Sequence, residues 1–193
     1  WLTYWYSQGS SREGLLFRLA SQIRNSLDLD TILETAVNEI RSLLKIDRCQ
    51  FVWYFHNPIQ SSLTVTHESR LPELPSLLCE YPPKKSGPLA YRIKHLEALR
   101  VDEVMTQENL DEDTRSLMSE MGITSVLLLP LETRSGQLGA VVCSHSSGPR
   151  PWTDSEVELL HAVIDQVALS IHQAELYAQT HAAALAAQTQ AQQ

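Results

Sequence analysis

The residues of this 193-residue chain best able to do chemistry are its three cysteines and seven histidines. Cys49, Cys79 and Cys143 stand far apart, with no C-x-x-C pair. An odd number without a framework argues against a secreted disulfide scaffold and suits a reducing, cytoplasmic compartment. Cys49 and Cys143 fall inside strand-like apolar runs and read as buried free thiols. Cys79 differs. It lies in a proline-rich stretch beside Glu80, Tyr81, Lys84 and Lys85, and neighbouring ammonium groups lower the pKa of a thiol. It is therefore the candidate for a redox or cluster-binding cysteine, set against the plainer reading of an ordinary loop thiol.

The histidines offer less. His161 and His172 lie eleven apart on one helical stretch, and His56, His67, His95, His145 and His181 are scattered. None forms H-x-x-x-H or stands beside a cysteine at ligand spacing, so no metal site is predicted. Ser144-His145 resembles a nucleophile beside a base, but adjacent strand residues point to opposite faces. No G-x-S-x-G elbow supports it either. No catalytic residue is predicted in this segment.

The elements that would position these residues follow from patterning. Ser10-Ser-Arg-Glu13 is a possible capping box opening a helix with Leu15, Leu16, Leu19, Ala20, Ile23 and Leu27 on one stripe. Asp28 or Asp30 can cap a second helix that carries Ile32, Leu33, Ala36, Val37, Ile40, Leu43 and Leu44 to a core. A strand over 48–56, rich in Val, Phe, Trp and Tyr, ends at an Asn57-Pro58 turn. A half-buried strand over 62–68 alternates Leu63, Val65 and His67 against polar neighbours. Residues 70–90 hold five of the nine prolines and are predicted to be loop, of the kind that often covers a binding site. Beyond them come a short helix over 88–94, a strand near 99–101 and a helix over 111–121 with acidic residues at its positive end. Strands over 124–132 and 138–145 make a hairpin at Thr133-Arg-Ser-Gly136.

The last forty-odd residues read as one amphipathic helix, opened by the capping box Thr153-Asp-Ser-Glu156. Val157, Leu160, Ile164, Val167, Ile171, Ala174 and Ala178 recur in steps of three and four, a heptad seam that continues into an Ala/Gln tract. Leu159, Val163 and Ala168 add a second stripe. One stripe can face the sheet and the other a partner, so the expectation is a homodimer through the terminal helices. Val157, Leu160, Ile164, Val167 and Ile171 are the expected dimer and signalling residues.

Composition narrows the partners. The net charge of −8 and the absence of a dense basic patch argue against nucleic acid. No apolar run reaches the roughly 18 residues that cross a bilayer, so no membrane is expected for this segment. The chain opens on Trp1 rather than Met and reads as an excised piece of a larger protein. Helices at both ends of mostly antiparallel strands make an α+β sandwich, with helices on one sheet face and the proline-rich segment and small helices on the other.

That order of elements resembles a GAF domain over residues 15–178. The residues carrying the likeness are Leu27-Asp-Leu-Asp30 with Ile32-Leu33, the strand over 48–56, the hairpin over 125–145 with Pro130 and Gly139, and the closing Trp152-Thr-Asp-Ser-Glu156. Ser147-Gly-Pro-Arg-Pro-Trp152 resembles the phytochrome and cyanobacteriochrome branch. The resemblance implies a GAF-type sandwich with a central antiparallel sheet and a long C-terminal signalling helix. It also implies an N-terminal linker at 1–14 and a C-terminal helical linker at 179–193. Function would be sensory, passing a ligand or partner signal through the dimerising helix to an output domain in the same chain, such as a histidine kinase.

Relatives in that branch attach a linear tetrapyrrole to a cysteine, usually followed by histidine. The pair falls at or near Asp113-Thr114 here, and neither side chain can form a thioether. A second pigment-contacting histidine falls near Ser144. Covalent bilin at the usual position is therefore not expected, and the cofactor is unknown. The alternatives are a bilin photoreceptor with atypical or noncovalent attachment, and a redox or metal sensor using Cys79. The Asn-Lys-x-Phe-Asp-Glu signature of cyclic-nucleotide-binding relatives is missing, and the cysteines do not match methionine sulfoxide reductases of this fold. The fold's pocket lies between the sheet and residues 70–120, where Phe51, Trp53, Phe55, Leu89, Tyr91, Ile93 and Val142 are the candidate lining.

Overall fold

The computed structural model describes residues 28–56 and 61–192. The capping box at Ser10, the helix over 15–27 and the Asn57-Pro58 turn lie outside them. Asp28 caps the first described helix, α1 (Leu29–Leu44), its carboxylate accepting from the Thr31 N–H. Ile32, Leu33, Ala36, Val37, Ile40 and Leu44 form its buried stripe. Lys45, at φ 52°, turns the chain out in the left-handed conformation.

Six strands follow: β1 (Arg48–His56), β2 (Ser61–Arg70), β3 (Cys79–Tyr81), β4 (Leu99–Val101), β5 (Ser125–Glu132) and β6 (Leu138–His145). They pair antiparallel in the order β3-β2-β1-β6-β5-β4. Helices α2 (Pro83–Lys94) and α3 (Glu112–Glu120) lie between the strands in sequence, and α4 (Asp154–Ala191) is the last element described.

The proline-rich segment is not all loop. It contains β3, and α2 starts at Pro83 rather than 88. Proline at the first helical position loses only an N–H that would have had no helical partner, so Pro83 starts the helix instead of preventing it.

Alternation along β1 divides the core. Cys49, Phe51 and Trp53 join Leu127, Leu129, Leu131, Val141 and Cys143 beneath α1 and α4. Val52 and Tyr54 join Leu63, Val65, Val126, Leu128, Ala140 and Val142 on the other face, against Ile93 of α2 and Leu117 and Met118 of α3. A bulge in β2 sets which residues share that second face. His67 opposes Phe51 and Val65 opposes Val52, leaving Thr66 as the extra residue. The bulge corrects the expected alternation of Leu63, Val65 and His67. His67 belongs to the helix side, where Nε2 lies 3.1 Å from the Asp30 carboxylate, while Glu68 turns to the cavity side opposite Gln50.

The start of α4 is fixed from three directions. Thr153 and Glu156 close the reciprocal capping box. Trp152 is buried, and its indole N–H donates to Val101 O at 3.1 Å. Arg150 bridges both helices, donating to Leu44 O at the end of α1 (2.8 Å) and to the Glu156 carboxylate (2.5 Å).

Candidate functional site: an apolar cavity, a charged cleft and the terminal helix

Between the sheet and α2–α3 lies an internal cavity of about 40 Å³. Val52, Leu63, Val65, Leu89, Ile93, Met118, Ile123 and Val142 give it an apolar lining. By the same measure one water needs about 10–15 Å³, so this space holds about three or four waters and no large ligand as it stands. Outside it, between α2 and α3, is an open cleft of about 780 Å³ lined by Lys84, Tyr91, Arg92, Glu97, Asp111, Asp113 and Glu120 among others. Lys85 and Leu117 line both spaces and so form the wall between them. Two ion pairs clasp the cleft: Lys85 to Glu120 at 3.6 Å and Arg92 to Asp111 at 3.7 Å.

Beside the cavity, reached from its lining residue Gln50, lies a buried polar cluster. Gln50 donates from Nε2 to Glu68 at 2.9 Å. The buried Glu68 carboxylate also accepts the Leu77 N–H at 3.1 Å and pairs with Arg70 Nε at 3.3 Å. Arg48, likewise buried, approaches Glu68 at 3.9 Å and donates from Nη2 to Pro75 O at 2.8 Å. Burial pushes the Arg48 pKa down, and the Glu68 charge opposes that shift. Tyr81 caps the loop, donating to Leu77 O at 2.8 Å; burial raises its pKa, as do the nearby Cys79 and Glu68.

Of the expected lining residues, Leu89, Ile93 and Val142 reach the cavity, and Tyr91 lines the outer cleft instead. Phe51 and Trp53 require correction: they lie on the opposite sheet face, packed edge-to-face at 4.8 Å beneath the helices. Phe55 is 44% exposed, at the end of β1. Aromatic size drew attention to the odd positions of β1, but the even ones carry the site. The usable signal was Arg48 and Gln50, polar residues alternating inside an otherwise apolar central strand. Glu68 and Arg70 repeat that signal on β2.

Cys79 faces solvent on the edge strand β3, its thiol donating to Glu80 O at 3.1 Å. Ser144 lies on the cavity face, and its hydroxyl has no hydrogen-bond partner among the described residues. His145 points the other way, 3.4 Å from the Asp47 carboxylate. Asp113 lines the cleft, while Thr114 is buried in the first turn of α3, bonded to Asp111.

The terminal seam also requires correction. Leu160, Ile164, Val167 and Ile171 are buried in the core between α4, α1 and the sheet, and Val157 packs against that core. Val163, assigned to a second stripe, is buried there too. Leu159 packs partly against the same core. What lies away from it is a different heptad series, half-exposed at Ala162 and Gln166 and exposed at Leu169, Gln173, Leu176, Thr180, Ala183 and Ala187. On it Leu169 is 39% and Leu176 49% exposed. After Ala174 the helix continues to Ala191 with nearly every residue exposed.

Comparison with known proteins agrees with this architecture. Residues 28–171 match the family model described as GAF domain, so the chain belongs to the GAF family. It is similar to a circadian input-output histidine kinase, CikA, of Thermosynechococcus vestitus: 27% identical over 90% of this chain and 25% of the kinase. It also resembles ethylene receptor 2 of Arabidopsis thaliana, 28% identical over 81% of this chain and 20% of the receptor. The chain thus spans about a quarter or less of these relatives. Among solved structures, the phycocyanobilin-bound GAF domain from a cyanobacterial phytochrome is 28% identical with a TM-score of 0.74, covering 86% of this chain and 96% of that one. Among the described residues no helix is long and apolar enough to cross a membrane.

Proposed function

We propose that this GAF domain is a regulatory input module whose α4 links it to an output domain in the same chain, by analogy with the histidine kinases it resembles. The observation that carries this reading is the two-sided character of α4. Its first five turns bury Leu160, Ile164, Val167 and Ile171 against the sheet. The same rigid rod, about 57 Å long at 1.5 Å per residue, then leaves the domain. Its outward heptad series suits a second copy of the chain, pairing α4 with α4 beside the sandwich. A change in how the sheet seats α4 would alter the register or tilt of that pair, which an attached kinase reads as a shift between two states. The Ala/Gln tract contributes length and helix propensity rather than packing.

The test is helical phasing. The chain is fused through α4 to a histidine kinase core, and one to seven residues are inserted after Ala178. Autophosphorylation should rise and fall with the helical repeat, returning after about seven residues. An activity that declines smoothly with insertion length contradicts the lever.

A second reading, a bilin photoreceptor, is favoured by the likeness to the phycocyanobilin-bound domain. Asp113 and Thr114 offer no thioether, and a tetrapyrrole needs several hundred cubic ångströms where the cavity offers about 40 Å³. Pigment binding would require α2 and α3 to separate at the Lys85–Leu117 wall. Expression with phycocyanobilin decides this: a visible band that co-purifies with the protein supports the second reading, and its absence supports a bilin-free regulatory domain.

A further inference from the structure

Cys49 and Cys143 are directly opposed across β1 and β6. Both thiols are free and 0% exposed, on the sheet face covered by α1 and α4. Opposed residues of antiparallel strands have Cα atoms about 4.5–5.5 Å apart. That separation lies inside the roughly 4.4–6.8 Å range of disulfides, so the strand spacing suits such a bond. Burial raises the Cys49 pKa, and the neighbouring Cys143 thiol adds to that shift.

We propose that Cys49 and Cys143 are a redox-modification site, converted to an intrachain cross-strand disulfide by a small two-electron oxidant such as hydrogen peroxide when α4 loosens from the sheet. One thiolate attacks a peroxide oxygen, breaking the O–O bond and giving a sulfenic acid and hydroxide. The other thiolate displaces hydroxide from the sulfenic sulfur, forming the S–S bond. The two protons from the thiols convert both hydroxides to water. Two thiols are oxidised and one peroxide is reduced.

Burial sets the timing. Beneath α1 and the docked α4 the thiols are kept from both water and oxidant, and desolvation disfavours the reactive thiolate. Local opening of the helix relieves both restraints. The pair would therefore record, as a covalent bond, that the connecting helix has been released. Once formed, the bond fastens β1 to β6, the strands at the centre of the sheet. The site depends on neither a bilin nor any other cavity ligand.

The experiment uses the reduced chain carrying Cys79→Ser, which removes the exposed thiol and prevents exchange with it. After exposure to hydrogen peroxide, free thiols are alkylated under denaturing conditions and peptides are mapped without reductant. The expected result is an intrachain Cys49–Cys143 linked peptide, with no disulfide between chains on denaturing electrophoresis, lighter by two hydrogens and restored by dithiothreitol. Its rate of formation should rise several-fold in sub-denaturing urea and in Ile171→Ala, both of which loosen α4. The proposal is overturned if both thiols remain fully alkylatable, or if each is oxidised singly to sulfinic acid without linkage. A rate indifferent to urea overturns the gating by α4, and urea serves even if Ile171→Ala does not fold.

Discussion

Gly139 illustrates how single residues set this sheet. A Cβ placed there would meet Val52 O at 2.8 Å, Trp53 Cε3 at 3.1 Å and Phe51 Cζ at 3.3 Å. The backbone oxygen cannot swing aside, so Gly139→Ala should destabilise the fold by about 1–3 kcal/mol, read from urea unfolding. Titratable residues make a second prediction. Burial works to raise the carboxyl pKa of Asp47 and Glu156, but hydrogen bonds outweigh it and both lie below their ordinary values. For Asp47 the donors are Ser147 Oγ and the Ser146 N–H, with His145 nearby; for Glu156 they are Arg150 and Thr153. A folded pKa below the unfolded one means stability that is complete above the unfolded value and lost as pH falls through the folded one. Melting temperature should therefore hold steady from neutral pH to about 5 and drop below about pH 4. The drop should be smaller in Asp47→Asn, whose melting temperature at neutral pH should already be lower. At this scale the sequence was only partly legible. Arg48, Gln50 and Glu68 meet through strand pairing and the bulge at Thr66, neither of which local spacing reveals.

Elements were more legible, because their periods are short and their punctuation is chemical. Asp28 and the Thr153–Glu156 box mark two helix starts, and the hairpin at Thr133–Gly136 follows from its turn residues, with Gly136 at φ 85°. Proline misled twice within one segment, since Pro83 starts a helix and Pro88 sits inside it. The periodicity of α4 was correctly visible as a seam, but period alone does not say which body the seam faces. Leu160, Ile164, Val167 and Ile171 face their own sheet. Ile164→Ala or Ile171→Ala should accordingly cost about 2–5 kcal/mol of folding stability in denaturant titrations, as buried truncations do. Thr153→Ala should cost about 1 kcal/mol by the same measurement, through loss of the cap.

For the whole molecule, the antiparallel sandwich and its closing helix were readable because an ordered set of weak signals agreed. The distribution of empty space was not. The cavity is small because Leu117, Met118 and Leu89 fill the volume in front of the sheet, and side-chain packing of that kind leaves no trace in hydropathy. The large cleft lies outside, between α2 and α3, where charged side chains share the lining about equally with apolar surface. What remains continuous from the core to the far end of the molecule is α4. If it is the lever between a sensory sandwich and an output module, its inner face holds the fold and its outer face holds the partner. Sedimentation or light-scattering mass measured on the wild-type chain and on Leu169→Asp/Leu176→Asp separates those roles. The account predicts a dimer that becomes a monomer on the double substitution, with the circular dichroism spectrum unchanged and the melting temperature lowered only by the lost association. A monomeric wild-type chain, or a dimer indifferent to both charges, would contradict it.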